Sequence, residues 1–515
     1  MRQRLFIIPI LIILLLWCSC RKDFQYDISS GNLDFSKDTV YLDTVFTNIG
    51  SSTYSLKVYN RSNSDIQIPN VRLAQGNNSS YRLNVDGEAG KEFENIPLMA
   101  KDSLYIFIET TFDISAINEN EFLYTDAILF DEGPKQQEVQ LVTLIKDAVF
   151  LYPSENADGT KETLLLGLDE DGNEIRIEGF LLTDEQLNFT NEKPYVIYGY
   201  AGVAPENVLN IEAGSRVHFH KDSGILVGQG ASLSVNGSLS TDTLLLENEV
   251  IFEGDRLEPE FAEVPGQWGT IWLAPGSINN TMNYATIRNA TVGLLVEGDF
   301  ASVSPKLSVG NSKIYNTLSA NILARSSSIA GENMVLGNAG NGSLICTNGG
   351  NYSFIHSTIA NYWSNGFRSG AALQLSNYDA NADIGAVDQD LTADFINCIV
   401  DGNTFLELSL NSNLTNLFDF SFTNCLIKFM DTSGQFDADP LYDFTNPAYY
   451  KNVFLNEDAG FLNTANNDFR LGNSSSAIGK ADQATAISVP LDIQGTDRTF
   501  EPDIGAYEYI AKVQN

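Results

Sequence analysis

Cysteine, histidine and positive charge are all scarce in this 515-residue chain. Five Cys are too few for a disulfide scaffold, and three His leave little for imidazole-based metal or acid–base chemistry. Lys and Arg number 30 against 66 Asp and Glu, a formal net charge of -36. Nucleic acid and anionic lipid both attract cationic faces, so neither is expected as a partner. Long amphipathic helical periodicity is absent too, which excludes helical repeats. What remains is ordinary for a folded protein: 43% apolar and 11% aromatic residues. The length suggests about three domains at ~150 residues each, fewer if one is an elongated solenoid.

The first residues read as an address. Arg2 and Arg4 precede an apolar run, Leu5 to Trp17, which is shorter than the ~20 residues of a comfortable membrane span. It ends in Leu16-Trp17-Cys18-Ser19-Cys20. A lipoprotein signal peptidase needs a small residue before the lipid-bearing Cys, which Ser19 supplies for Cys20 and Trp17 denies to Cys18. Residues 1–19 are therefore expected to be a cleaved leader, Cys20 the lipidation site, and 20–32 a polar tether. Loss of Arg2 and Arg4 leaves the mature chain two units more negative. No later segment reaches spanning length, so the protein is expected to be anchored to a membrane by lipid rather than to cross it.

From Leu33 to Asp147 apolar residues alternate with polar ones, as in Val40, Leu42 and Phe46 or Leu104, Ile106 and Ile108. Breaks such as Gly50-Ser51-Ser52 separate about seven short strands, and a β-sandwich is the simplest way to bury their faces. Val45-Phe46-Thr47-Asn48-Ile49-Gly50 with Val58-Tyr59-Asn60 resembles the Ig-like modules of the abnormal-spindle/hydin type; the span lacks the intersheet Cys pair, so the resemblance is to the architecture. A spacer or binding role is expected. Residues 148–190 read as a connecting hairpin region. Asp169 and Asp171 with Asn173 have some calcium-loop spacing, but Glu174 stands where an EF-hand needs Gly, and Asp171-Gly172-Asn173 is a hairpin turn.

From about Asn191 to 475 a motif recurs at a drifting period. Asn311-Ser312-Lys313-Ile314, Asn333-Met334-Val335-Leu336, His356-Ser357-Thr358-Ile359, Asn397-Cys398-Ile399-Val400 and Asn424-Cys425-Leu426-Ile427 share one scheme, with Tyr284-Ala285-Thr286-Ile287 a looser copy. The small position advances by 27, 22, 23, 41 and 27 residues. Those are coil lengths of a parallel β-helix, with the 41-residue step implying a lateral loop at about 364–390. About 11 rungs at ~4.8 Å predict a rod of roughly 50 Å, in which stacked Asn can form an amide ladder.

Leu209-Asn210-Ile211-Glu212-Ala213-Gly214, Gly254-Asp255-Arg256-Leu257-Glu258, Pro265-Gly266-Gln267-Trp268-Gly269 and Pro502-Asp503-Ile504-Gly505-Ala506-Tyr507-Glu508 resemble a family of outer-membrane β-helix lipoproteins. The resemblance implies an all-β chain: an N-terminal Ig-like β-sandwich followed by a right-handed, pectin-lyase-like parallel β-helix, on an outer-membrane leaflet. It implies almost no chemistry.

Candidate sites follow from residue types. His218 and His220 alternate on a strand, with Val217 and Phe219 facing the core, and read as surface histidines. Cys398 and Cys425 fall one rung apart, so they are either buried free thiols or a bridge; Cys346 has no obvious partner. A polysaccharide lyase would need a base, and Arg368 is the only Lys or Arg between Ala330 and Asp419. Asp379, Asp383, Asp388 and Asp390 surround the long loop. Asp383, Asp388 and Arg368 are therefore the weak catalytic candidates, and a glycosidase carboxylate pair is the rival chemistry. Asp503, Glu508 and Arg498 read as structural, pinning residues 476–515 as a cap across the last rung. No cofactor is expected, calcium at the loop acids being the one alternative. The preferred function is a non-catalytic envelope module that binds glycan or another envelope component; the alternative is a lyase or glycoside hydrolase. The outward Ile399 and Leu426, more apolar than the equivalent Thr286 and Lys313, predict that the 364–390 loop or a partner covers them.

Overall fold

The computed structural model describes residues 26–511, apart from 116, 118, 170, 299–303 and 379–388. Cys20 and its leader, and Asp379, Asp383 and Asp388, lie outside the described residues. The chain is all-β and divides into two compact units, one ending at Asp147 and the other beginning at Ala148. Among the described residues no helix is long and apolar enough to cross a membrane.

The first unit is a sandwich of two sheets. In one, Ile66–Leu73, Glu121–Phe130, Gln137–Lys146 and Thr39–Phe46 lie side by side, the last pair parallel. In the other, Tyr54–Tyr59, Ser103–Thr110 and Tyr81–Val85 run antiparallel. Between them Val40, Leu42, Leu56, Val58, Ile106, Ile108 and Leu141 form one core, as their period of two predicts. Asp43 breaks that period. Its φ is 34°, and the pairing slips between Val142 and Leu144. This bulge turns Val45 into the core beside Val40 and Leu42, where strict alternation would place Phe46.

The second unit is a parallel β-helix in which the coils stack three ladders of strands. The first ladder contains eleven strands from Val149–Leu151 to Phe454–Leu455. Stacking thus begins well before Asn191, because Val149–Leu151 pairs with Tyr195–Ile197. Thr163–Leu168 and Glu174–Leu181 form an antiparallel hairpin. At its turn the Asp169 carboxylate accepts from the backbone N–H of Asp171 and Asn173 and from the Asn173 side chain, so it closes a turn.

The recurring motif maps onto the entrance to the first ladder. Ile287, Ile314, Leu336, Ile359, Val400 and Ile427 stand in one register file inside the coil. The leading residue of each copy turns the corner with positive φ: Tyr284 44°, Asn311 48°, Asn333 51°, His356 46°, Asn397 56° and Asn424 49°. Asn tolerates that conformation better than most residues. Its amide also stacks: Asn311 donates to Asn283 at 3.0 Å, Asn333 to Asn311 at 2.9 Å, and Asn397 lies 2.9 Å from His356 Nε2. The small residue has its own task. Ser312 Oγ accepts from Ala285 N, Ser357 Oγ from Met334 N, and Cys425 Sγ from Cys398 N. Each satisfies a buried N–H one rung back, which water does not reach.

Opposite, Phe354, Phe395, Phe422 and Tyr450 stack as a column, with centroids 5.6, 4.9 and 5.8 Å apart. The long step holds more than a loop. Leu373–Ser376 sits within it and pairs with Leu344 and Leu408 strands of the second ladder, because each rung needs all three sides.

The C-terminal segment does not lie across the last rung. It returns along the outside of the first ladder. Ile504, Ala477, Ala459 and Leu471 pack on Ile399 and Leu426, and Phe469, Ile493, Ala506 and Tyr507 pack on Val335 and Ala360. The apolar outward positions are therefore covered by the chain's own tail.

Candidate functional site

Arg368 is part of the framework. Its Nη1 and Nη2 donate to Glu407 Oε2 and Oε1 at 2.8 and 2.6 Å, and Nη2 also donates to Asn403 Oδ1 at 2.8 Å. The two charged side chains are 3% and 0% exposed. Glu407 further accepts from the N–H of Ala372 and Thr404. A guanidinium paired this way spends its N–H donors on the framework and is not free to face a substrate. Asp390 likewise holds a loop, accepting from Leu417 N.

Cys398 and Cys425 stand one rung apart as buried free thiols, as does Cys346 at its own position. Burial pushes the Cys425 thiol well above its ordinary value, which suits filling and hydrogen bonding rather than nucleophilic attack. His220 is exposed and its Nδ1 lies 2.8 Å from Asp255. His218 points away from the core as expected, yet it is buried, beside the Gly254 carbonyl and Glu253. The sequence did not reveal that Glu253 and Gly254, one rung on, would stand against it. Among the described residues no group of three or more His, Cys, Asp or Glu is disposed to hold a metal.

A wide opening lies elsewhere, at the C-terminal end of the coil. Just past the last motif copy, residues 429–445 fold into a groove of about 790 Å³. Phe429 anchors it. Its N–H donates to Asn456 Oδ1 at 2.7 Å, and Asn456 Nδ2 returns a bond to its carbonyl at 3.0 Å. Phe429 stacks on Tyr442 at 4.7 Å, with Phe436 4.6 Å from Tyr442 and Phe444 5.3 Å from Phe429. The Tyr442 hydroxyl accepts from Leu410 N at 2.7 Å, and burial pushes it up to about 12. It is a fixed, neutral part of the floor. Phe436 and Phe444 remain half-buried.

Four carboxylates share the rim: Asp431, Asp437, Asp439 and Asp443, and no Lys or Arg joins them. Three close local turns. Asp431 accepts from Ser433 and Phe436 N, Asp439 from Leu441 N, and Asp443 from Thr445 N and Oγ1. Backbone bonding, chiefly from Phe436, holds Asp431 below its ordinary range, and the Thr445 hydroxyl and N–H do the same to Asp443. The arrangement places carboxylate acceptors and aromatic rings in the lining of one groove. Sequence reasoning passed over this stretch, although Phe429-Met430-Asp431 to Pro440-Leu441-Tyr442-Asp443-Phe444 does interleave aromatics and aspartates.

A second groove of about 520 Å³ runs over the third ladder, which stacks Ser232–Asn236, Asn280–Asn283 and Leu307–Gly310. Its outward file is Ser234, Thr281, Ser308, Ala330 and Ser353 in register, continuing to Asp394. These small side chains leave the sheet surface open.

No family model matches the chain, and no curated protein matches it. Solved structures are similar only distantly. The catalytic unit of a GH87 α-1,3-glucanase from Streptomyces thermodiastaticus strain HF3-3 has TM-score 0.19 and 9% identity, covering 72% of this chain and 62% of that one. An ASH/PapD-like domain of human CEP192 has TM-score 0.16 and 9% identity, covering 25% and 94%. The periplasmic chaperone SfaE has TM-score 0.14 and 12% identity, covering 28% and 83%.

Proposed function

We propose that this chain is a non-catalytic, glycan-binding lipoprotein of the cell envelope, of the β-helix family its sequence resembles, held to the membrane through Cys20. The aromatic-floored groove at 429–445 carries the reading. A pyranose has apolar C–H faces and a belt of hydroxyl donors; half-buried rings and fixed carboxylate acceptors in one groove complement both. The open polar file on the third ladder offers a path for a longer chain. The leader alone supports the anchor. Replacing Cys20 by Ala is expected to move the protein to the soluble fraction, and unchanged membrane retention would refute the anchor.

One observation favours a hydrolase instead, since four carboxylates rim a single groove. A glycosidase needs one of them protonated near neutrality as the general acid, whereas Asp431 and Asp443 are held below the ordinary range. Incubation with neutral glycans and polyuronates, reading both retention on the protein and new reducing or unsaturated ends, separates the two. Binding without turnover, weakened about tenfold by Phe444→Ala, is expected. Turnover abolished by Asp437→Asn would overturn the proposal.

A further inference from the structure

The returning tail is joined to the coil by the same side chains that turn its corners. Asn333 Nδ2 donates to Leu491 O at 3.0 Å, and Asn424 Nδ2 to Lys480 O at 3.0 Å. Asn397 Oδ1 accepts from Asp482 N at 2.6 Å. Gly505 N donates to Asn397 O at 2.8 Å and Ala506 N to Thr358 Oγ1 at 3.1 Å. Gly505 has φ 102°, and a Cβ there would stand 2.8 Å from both Ile399 and Thr358 atoms, so the seat is close-fitting.

Beneath this seat lies a charge cluster with an imbalance. Arg498 is fully buried, donating weakly to Gly505 O and Ala506 O at 3.4 and 3.3 Å. Three tail carboxylates surround it: Asp492, Asp503 and Glu508. Asp492 accepts from the N–H of Gln494, Thr496 and Glu508, and Asp503 from Gly479 and Tyr509. Among the described residues Glu508 has the Asp503 N–H, at 3.2 and 3.3 Å, and Arg498 at 3.6 Å. From the coil, His356 and Glu332 also face Arg498. Burial and Arg498 push His356 down to about 2, so it brings no compensating charge. One cation thus meets three acids away from water, and Glu508 is the least compensated.

We propose that the C-terminal segment is a releasable strap: protonated Glu508 lets it seat on the first ladder, and ionisation of Glu508 loosens it and uncovers the apolar strip of Val335, Ala360, Ile399 and Leu426. Burial, then the Asp503 charge, raise Glu508 to about 8. A raised folded value means docking stability is full below the ordinary carboxylate range. That stability is lost progressively as pH climbs to about 8. The strap is therefore seated under acid conditions and weakest in mild alkali.

Amide hydrogen exchange, corrected for its intrinsic pH dependence, tests this on the full chain. Protection at Gly505 and Ala506 is expected to fall about tenfold or more between roughly pH 5.5 and pH 8.5, with the interior amides of the coil unchanged. Glu508→Gln, which mimics the protonated group, is expected to keep its protection at both. Equal protection of the natural protein at the two pH values overturns the proposal, as does the same loss in Glu508→Gln. Should that variant fold poorly, binding of an apolar dye by the natural protein decides alone: a reversible rise over this range supports the strap, and a flat signal refutes it.

Discussion

The outer face of the first ladder is a single register file with two characters. Toward the N-terminal end it carries Thr286 and Lys313; four rungs on, the same file carries Ile399 and Leu426. The polar half is neutralised locally. Lys313 Nζ lies 3.1 Å from Glu249, which also accepts from Thr286, while Arg288 and His218 flank Glu253. The apolar half is covered by a segment from the far end of the sequence. One backbone scaffold therefore supports either solution, and the outward residue types decide which neighbour must come. In the polar half that neighbour comes from nearby coils, 35 to 64 residues away. In the apolar half it is distant.

Exchanging the two characters tests this most severely. Ile399→Lys would place an unpaired ammonium against Ile504 and Leu471 beneath the tail, with an expected loss of about 4 kcal/mol or more by denaturant titration. Retained stability would show that the tail is not tightly seated. Arg498→Met strands three acids around a neutral side chain. An expected loss of about 3 kcal/mol, larger at alkaline than at acid pH, is checked by calorimetry at both.

The reverse exchange, Lys313→Leu, leaves Glu249 without its cation in a half that retains other charged neighbours. About 1–2 kcal/mol is expected, and a loss as large as that of Ile399→Lys would erase the contrast. The halves also differ in the sign of their pH response. Burial pushes Glu253 upward, but His218, Arg288 and Arg216 together outweigh it and hold the carboxyl below its ordinary range. A depressed carboxyl contributes stability above the unfolded value of about 4 that is lost as pH falls through the folded one. Arg288→Ala is therefore expected to flatten the acid limb of the stability profile and leave the alkaline limb, set by Glu508, in place. The smallest effect belongs to the corner residues common to both halves: Asn311→Ala is expected to lose about 1 kcal/mol, through its strained φ and two amide bonds.

Spacing in the sequence was enough to read the coil, because the interior repeats from rung to rung. Ile314, Leu336, Ile359 and Val400 stack as their intervals predict. The asymmetry of the outer file was visible as well, in Thr286 and Lys313 against Ile399 and Leu426. What covers it was not, since the hydrogen bond from Ala506 to Thr358 spans 148 residues and leaves no periodic trace. The groove at 429–445 was missed for a related reason. Its aspartates look like turn formers, which three of them are, and only folding brings four aromatic rings into one groove with them.

The sequence by itself determined what depends on local alternation and repeated intervals: a β-sandwich core, a stacked coil and Asn at most of its corners. Only the tertiary structure decided where unrepeated segments rest. It bulged Asp43 so that Val45 enters the core, tied Arg368 to Glu407 rather than to a substrate, buried His218 and laid the tail along the ladder. A repeat reports its own neighbours through its period. A single segment finds its place only through shape and charge complementary to a surface that does not exist until the coil has formed.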